Sequence, residues 1–284
     1  MANAAGIAWQ PIRLPIHCEG REIEGKVAIA RSDTRAVLGV VSDGYGPVAN
    51  VDALGWVDTL APEGVRWETA GALDGGRRVW GLARIPGVGN VEHADGRVDE
   101  HRRYMLVSTS HDGSGSARIL PTLVRVVCAN TLSQAHREGR GTGLTVRHTR
   151  NVDATAKAAV TALRDSVSAT ATLADVARTL ARRPFTRSDM TDFAVTLADR
   201  VLGPLEAKPT PRAITMRQDR IDVLVRLFSR GEGNRGADRY DALNAVTEWT
   251  DHHAPTRGGT VRIDSATFGA LAAWKTAALD LLTV

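Results

Sequence analysis

Residues Tyr104–Val127 read YMLVSTSHDGSGSARILPTLVRVV: a β-prone run, a turn cluster and a second β-prone run. Valine, isoleucine and threonine fit a pleated, half-buried surface, while Asp112-Gly113-Ser114-Gly115 supplies the backbone freedom of a tight connection. The stretch therefore predicts an antiparallel hairpin. The same design stands upstream in Val65–Pro86, VRWETAGALDGGRRVWGLARIP, where Asp74-Gly75-Gly76 is the turn. Earlier still, KVAIARS and AVLGVVS flank Asp33 and Thr34, which reads as another strand pair. After the turn cluster DGYGP comes VANVDALGWVDTLAP, whose Val51, Leu54, Val57 and Leu60 recur at helical spacing before Pro62. Residues 25–128 are thus expected to form antiparallel β-structure with one inserted helix.

From Asn151 the period changes. Alanine and leucine recur at helical spacing up to Pro184, and a second helix is expected in TRSDMTDFAVTLADRVLG, closed by Gly203. The segment AKPTPRAI reads as a proline-rich joint. Three further helices follow, in TMRQDRIDVLVRLFSR, RYDALNAVTEWTDHH and DSATFGALAAWKTAALDLLTV, the last capped by Asp264 or Ser265. Val223, Leu224, Leu227 and Phe228 form one apolar face, and Leu271, Trp274, Ala278 and Leu281 another. The expected class is α+β: an antiparallel β-sheet core with packed helices, followed by a helical C-terminal region. The division is residues 1–150, β-rich with the inserted helix, and residues 151–284, helical and packed on the same core.

Composition narrows the class of protein. Two cysteines, Cys18 and Cys128, make no disulfide framework and suit a reducing compartment. The opening MANAAGIAWQPIRLPI has no basic segment leading into an apolar one, and no apolar run approaches the roughly 18 residues of a membrane span. A cytoplasmic location without membrane contact is expected. Of the 36 basic residues 32 are arginine, so a single arginine carries little information and their distribution carries more. Residues 113–150 hold six basic and one acidic side chain, more than the whole chain's net excess of +4. A local basic field of this kind favours polyanions; pairing with acids elsewhere in the fold is the structural alternative.

That basic stretch contains Arg125–Arg140, RVVCANTLSQAHREGR, which reads as a strand turning into a short helix. Thr131-x-x-Gln134 matches a capping box, with Asn130 or Thr131 as cap and Gly139 as stop. A helix N-terminus suits a phosphate, and it would also activate a thiol, so Cys128 with His136 or His148 as base is one option. The valines preceding Cys128 favour a core position instead. His111-Asp112 has a sufficient reading as a turn. His252 and His253 are adjacent and diverge on a helix. No His-x3-His, CxxC or EF-hand pattern occurs, so neither a metal site nor a cofactor is expected. Trp67 and Trp80 read as sheet core, with base stacking the alternative.

The order LGVVSDGYGPVANVDALGWVD, ETAGALDGGRRVWGLARIP, STSHDGSGSARILPTLVRVVCANTL, RHTRNV and ALNAVTEWTDHH resembles the phage/plasmid-like protein family, domain of unknown function 932, from about Lys26 to His253. Its most specific pieces are RVVCANTL with the following RHT, and the NAVTEWTDH helix. The resemblance implies a protein of mobile genetic elements and no particular chemistry. The coarse element order is also similar to the core of Red-beta-type annealing proteins, an analogy of fold only.

Three readings follow. The first is nucleic-acid binding, with single-stranded DNA favoured, in replication, recombination or strand annealing. Arg125, Arg137, Arg140, Arg147 and Arg150 would contact phosphate, and Asn130 and His148 would organise the joint. The second is an oligomeric structural or interaction protein, and a homo-oligomer is expected in either case. The third is an enzyme using Cys128 or His148.

Overall fold

The computed structural model describes residues 1–58, 64–125, 131–133, 144–149, 171–206, 208–256, 262, 265–267 and 269–284. Antiparallel sheets and a helical C-terminal region bear out the α+β class. The first sheet has the order β1-β2-β3, from Pro11–Cys18, Arg21–Arg31 and Val37–Ser42. Strand β1 falls in a segment that the sequence leaves unassigned. Pro11 and Pro15 interrupt its pattern, yet both are tolerated because β1 is an edge strand and needs N–H donors on one side only.

Helix α1, Asn50–Asp58, lies where the sequence places it. The hairpin on Asp74-Gly75-Gly76 joins β4, Arg66–Leu73, to β5, Arg78–Val88. Its two tryptophans cover glycines across the ladder. Trp80 is the register partner of Gly71 and packs over it, while Trp67 packs on Gly81 and donates Nε1–H to Asp58 at 2.9 Å. The short strands β6, Val91–Glu92, and β7, Val98–Asp99, pair with each other. The opening hairpin is β8, His101–Ser110, and β9, Ala117–Arg125, in the sheet order β10-β9-β8-β5-β4. Strand β11, Leu144–Val146, pairs antiparallel with β9.

One expectation is corrected here. Thr131–Ser133 is strand β10, next to β9, and not the start of a helix. Thr131-Leu132-Ser133 alternates polar and apolar as a strand does. A ladder to β9 also satisfies the backbone groups that a capping box would otherwise have to serve. Residues Val126–Asn130 and Gln134–Gly143 lie outside the described residues.

The helices are α2 over 171–181, α3 Arg187–Leu202, α4 Pro211–Arg230, α5 Arg239–Glu248 with a π-helical turn Trp249–His253, and α6 Ala270–Thr283. Thr186 and Asp189 form a complete capping box on α3. Helix α4 begins four residues before the sequence boundary: Pro211 belongs to its first turn, where a missing N–H costs nothing, and Thr210 caps it. The last helix starts later than expected; its N-cap is Gly269, with no side-chain cap bond, and Asp264 lies outside the described residues. Among the described residues no helix is long and apolar enough to cross a membrane.

The chain forms two compact units. Unit 1 is residues 1–87, 103–122 and 136–170; unit 2 is residues 88–102, 123–135 and 171–284. In unit 1, Ala53 and Val57 of α1 pack on Ala83, Ile85, Met105, Val107 and Ile119 of the sheet. A second cluster joins Ile29, Leu38 and Val41 to Trp9, Leu54 and Val79. In unit 2, Leu224 and Phe228 of α4, with Trp274 and Ala278 of α6, sit in one helical core. Burying each such large side chain contributes roughly 1.5–3 kcal/mol. Val223, Leu271 and Leu281 pack on the same core, so both apolar faces read from the sequence are used within the unit.

Candidate functional site

Of the seven residues expected to meet nucleic acid, Asn130, Arg137, Arg140 and Arg150 lie outside the described residues, as does Cys128. Arg125 ends β9. Arg147 and His148 follow β11, and Arg147 is exposed. His148 stacks on Tyr45 with ring centroids 4.8 Å apart and donates Nδ1–H to the Gly46 carbonyl at 3.2 Å. The Gly46 N–H donates back to the His148 carbonyl at 3.3 Å. Burial lowers the His148 pKa, and the ring works as a neutral clamp between the RHT and DGYGP segments. His111 stands in a second buried array of unit 1: its Nε2 donates to Asn50 Oδ1 at 2.7 Å, and Asn50 Nδ2 donates to the carbonyls of Ile7 and Trp9. Burial, and then the nearby His148, hold His111 down at about 4. Asp112 accepts the Ser114 N–H, which is the turn role read from the sequence.

A buried polar cluster lies in unit 2, where the sequence shows no catalytic or metal-ligand spacing. It is built on α5 and on the loop between β6 and β7. Nearly every residue of α5 is buried, including Asp241, Asn244, Thr247 and Glu248, so the helix carries a polar stripe through the interior. Asp238, the α5 N-cap, uses Oδ1 to accept the Asp241 N–H at 2.9 Å. Its Oδ2 lies 2.5 Å from Nδ1 of His93. His93 opens a tight turn whose backbone closes on Arg97: the His93 N–H donates to the Arg97 carbonyl at 2.8 Å, with Gly96 at φ 82° between them. The turn thus places His93 and Arg97 on the same point.

The other ring nitrogen, Nε2, faces Asp99 Oδ2 at 3.1 Å. Arg97 donates Nη1–H to Asp241 Oδ1 at 3.1 Å and to the Gly233 carbonyl at 2.6 Å. Its Nη2 lies 3.1 and 3.2 Å from the two Asp241 oxygens and 2.8 Å from His93 Nδ1. Asp241 Oδ2 also accepts the N–H groups of Arg235 and Ala237. Beside them, Tyr240 shares a 2.5 Å hydrogen bond with His101 Nε2, and His101 Nδ1 donates to the Asp99 carbonyl.

Burial works against a charged His93, but its bonds to Asp238 and Asp99 outweigh that and raise its pKa to about 9. Three buried carboxylates therefore share one guanidinium and one imidazole. Such a group can hold a cation or pass a proton. A cleft lined by Arg97, Asp99, Ser229, Gly233, Asn234 and Arg235 gives access to it.

A family model described as Domain of unknown function (DUF932) matches residues 37–268. The chain belongs to this family. No curated protein and no solved structure matches it. The matched span of this DUF932 chain includes His93, Arg97, Asp99, Asp238 and Asp241, together with the Tyr45–His148 clamp. Sequence reading missed the unit-2 cluster because His93 and Asp238 stand 145 positions apart. The available signal was Asp238, Asp241, Asn244 and Glu248 recurring at helical spacing through a segment that also carries the apolar Ala242, Leu243, Ala245 and Val246.

Proposed function

We propose that this DUF932 chain binds nucleic acid through backbone phosphates, with single-stranded DNA the favoured partner. Its service would be replication, recombination or strand annealing in a phage or plasmid setting. The observation that supports this best is a pair of arginines. Arg66 of β4 and Arg84 of β5 are register partners, both are exposed, and neither has an acidic partner among the described residues. Like charges placed opposite each other on a sheet repel, and a polyanion across them turns that cost into attraction. Exposed Arg147 and the basic balance of residues 113–150 in the sequence favour the same kind of partner. Self-association belongs to the proposal as well; exposed Leu202, Leu205 and Met216, which line one groove, offer an apolar surface for it.

Fluorescence anisotropy with single-stranded DNA, duplex and RNA oligonucleotides over a salt series tests the reading. Each phosphate contact contributes about 0.7 to the salt slope of single-strand binding, so R66A/R84A should flatten it by about 1.4. An edge strand also uses charge to repel other strands. If the native chain binds no oligonucleotide at about 50 mM salt, that is the whole role of Arg66 on β4, and the proposal fails.

A further inference from the structure

One atom in the unit-2 cluster has hydrogen bonds that do not close. His93 Nδ1 lies 2.5 Å from Asp238 Oδ2, a contact that requires a proton on Nδ1. The same nitrogen lies 2.8 Å from Arg97 Nη2, a donor that requires a bare lone pair there. One ring nitrogen cannot donate and accept in the plane at once. Arg97 Nη2 stands, moreover, where the ligand-type atoms converge: it is 3.1 Å from Asp241 Oδ1 and 3.5 Å from Asp238 Oδ2. A positively charged nitrogen occupies the centre of one imidazole and two carboxylates.

We propose that His93, Asp238 and Asp241 form a binding site for a first-row divalent transition cation, and that Arg97 is the cation that holds the site closed without it. The ligand atoms of these three buried residues lie within 4.8 Å of one another. Ligands about 2.0–2.2 Å from a shared metal stand about 3–3.5 Å apart at tetrahedral or right angles. Nδ1 and Asp238 Oδ2, now 2.5 Å apart, must therefore open slightly, and any pair near 4.8 Å must close by about 1 Å. The departure of the Arg97 guanidinium allows this movement. A metal ion takes the Nδ1 lone pair and carries the positive charge that both carboxylates already face, which removes the conflict at Nδ1. The other ring nitrogen is prepared for this: Nε2–H donates to Asp99 Oδ2 at 3.1 Å, the carboxylate–histidine arrangement that fixes the tautomer of metal-bound histidines. The turn that carries Arg97 borders the cleft, and the side chain is 14% exposed, so the guanidinium has a way out. One imidazole with two carboxylates selects manganese, cobalt or zinc over magnesium and calcium, which prefer oxygen alone.

The test uses the full chain stripped with a chelator, and it reads metal binding without any oligonucleotide, so it stands apart from the nucleic-acid proposal. Cobalt(II) should produce visible absorption bands at one equivalent, and manganese or zinc should raise Tm by at least about 3 °C where magnesium does not. His93→Gln should abolish the cobalt bands. Asp99→Asn, which leaves the three ligands in place, should weaken binding by about 10–100-fold. Arg97→Ala should tighten it by at least about tenfold, the equivalent of one charge-assisted hydrogen bond that no longer competes. An Arg97→Ala chain that folds only with metal supports the proposal equally. The native chain decides if variants fail to fold. No cobalt bands and no Tm shift at millimolar metal, or bands that persist in His93→Gln, would overturn the site and leave Arg97 as a permanent structural cation.

Discussion

Asp238 joins two distant parts of unit 2 with one carboxylate: Oδ1 caps α5 through the Asp241 N–H at 2.9 Å, and Oδ2 meets His93 Nδ1 at 2.5 Å. The two roles separate on substitution. Asp238→Ala removes both and exposes His93 and Arg97 to a lost buried partner, an expected cost of about 4 kcal/mol. Asp238→Asn keeps a capping oxygen and should be about 1 kcal/mol less damaging, the usual worth of an N-cap. Urea titrations followed by the helical signal give both values. Equal losses would mean that the cap contributes nothing here.

His111 gives the fold a defined weakness to acid. Its folded pKa of about 4 lies below the ordinary 6.5, because burial excludes the charged ring. As pH falls below 6.5 the unfolded chain takes up a proton that the folded chain refuses, so stability is complete above that value and is lost toward pH 4. The slope is about 1.4 kcal/mol per pH unit and the total about 3 kcal/mol. His111→Gln keeps an N–H donor for Asn50 Oδ1 and removes the titration. Denaturation midpoints of the two proteins should converge as pH falls from 7 to 4. A constant gap across that range would show that His111 does not titrate in this window.

Local rules were legible where local residues decide. Asp74-Gly75-Gly76 sets its hairpin, Gly203 closes α3, and the faces of α4 and α6 set their core. Two elements were hidden by rules that act at a distance. Strand β1 contains prolines that only its edge position excuses, and position in a sheet is not written in the strand. At Thr131 a capping-box match competed with a ladder to β9, and sheet pairing prevailed over a four-residue pattern. The cluster at His93 was illegible for the same reason. Its members come from one tight turn and one helix cap, and neither carries a spacing that a scan along the chain could recognise.

Two glycines should respond to the same substitution with opposite signs. Gly55 lies inside α1, and a methyl group there meets nothing within 4 Å. Gly55→Ala should therefore stabilise by up to about 1 kcal/mol, through helix propensity and a less flexible unfolded chain. Gly231 ends α4 with an ordinary backbone, φ −64°, so conformational freedom is not its purpose. Space is. A Cβ there would stand 2.4 Å from Glu248 Oε2 and 2.5 Å from the Leu227 carbonyl. That carbonyl accepts the Gly231 N–H at 2.7 Å and Asn234 Nδ2 at 3.0 Å, and Glu248 Oε2 accepts the Glu232 N–H at 3.1 Å. A methyl group must break at least one of these buried bonds, an expected cost of about 2–4 kcal/mol. The damage should also travel. Gly233 supplies the carbonyl that holds Arg97, so Gly231→Ala should loosen Arg97 as well as α4, and hydrogen exchange should report faster opening at residues 93–99. Protection unchanged there, with α4 alone destabilised, would show that the 231–236 loop does not hold the His93 turn in place.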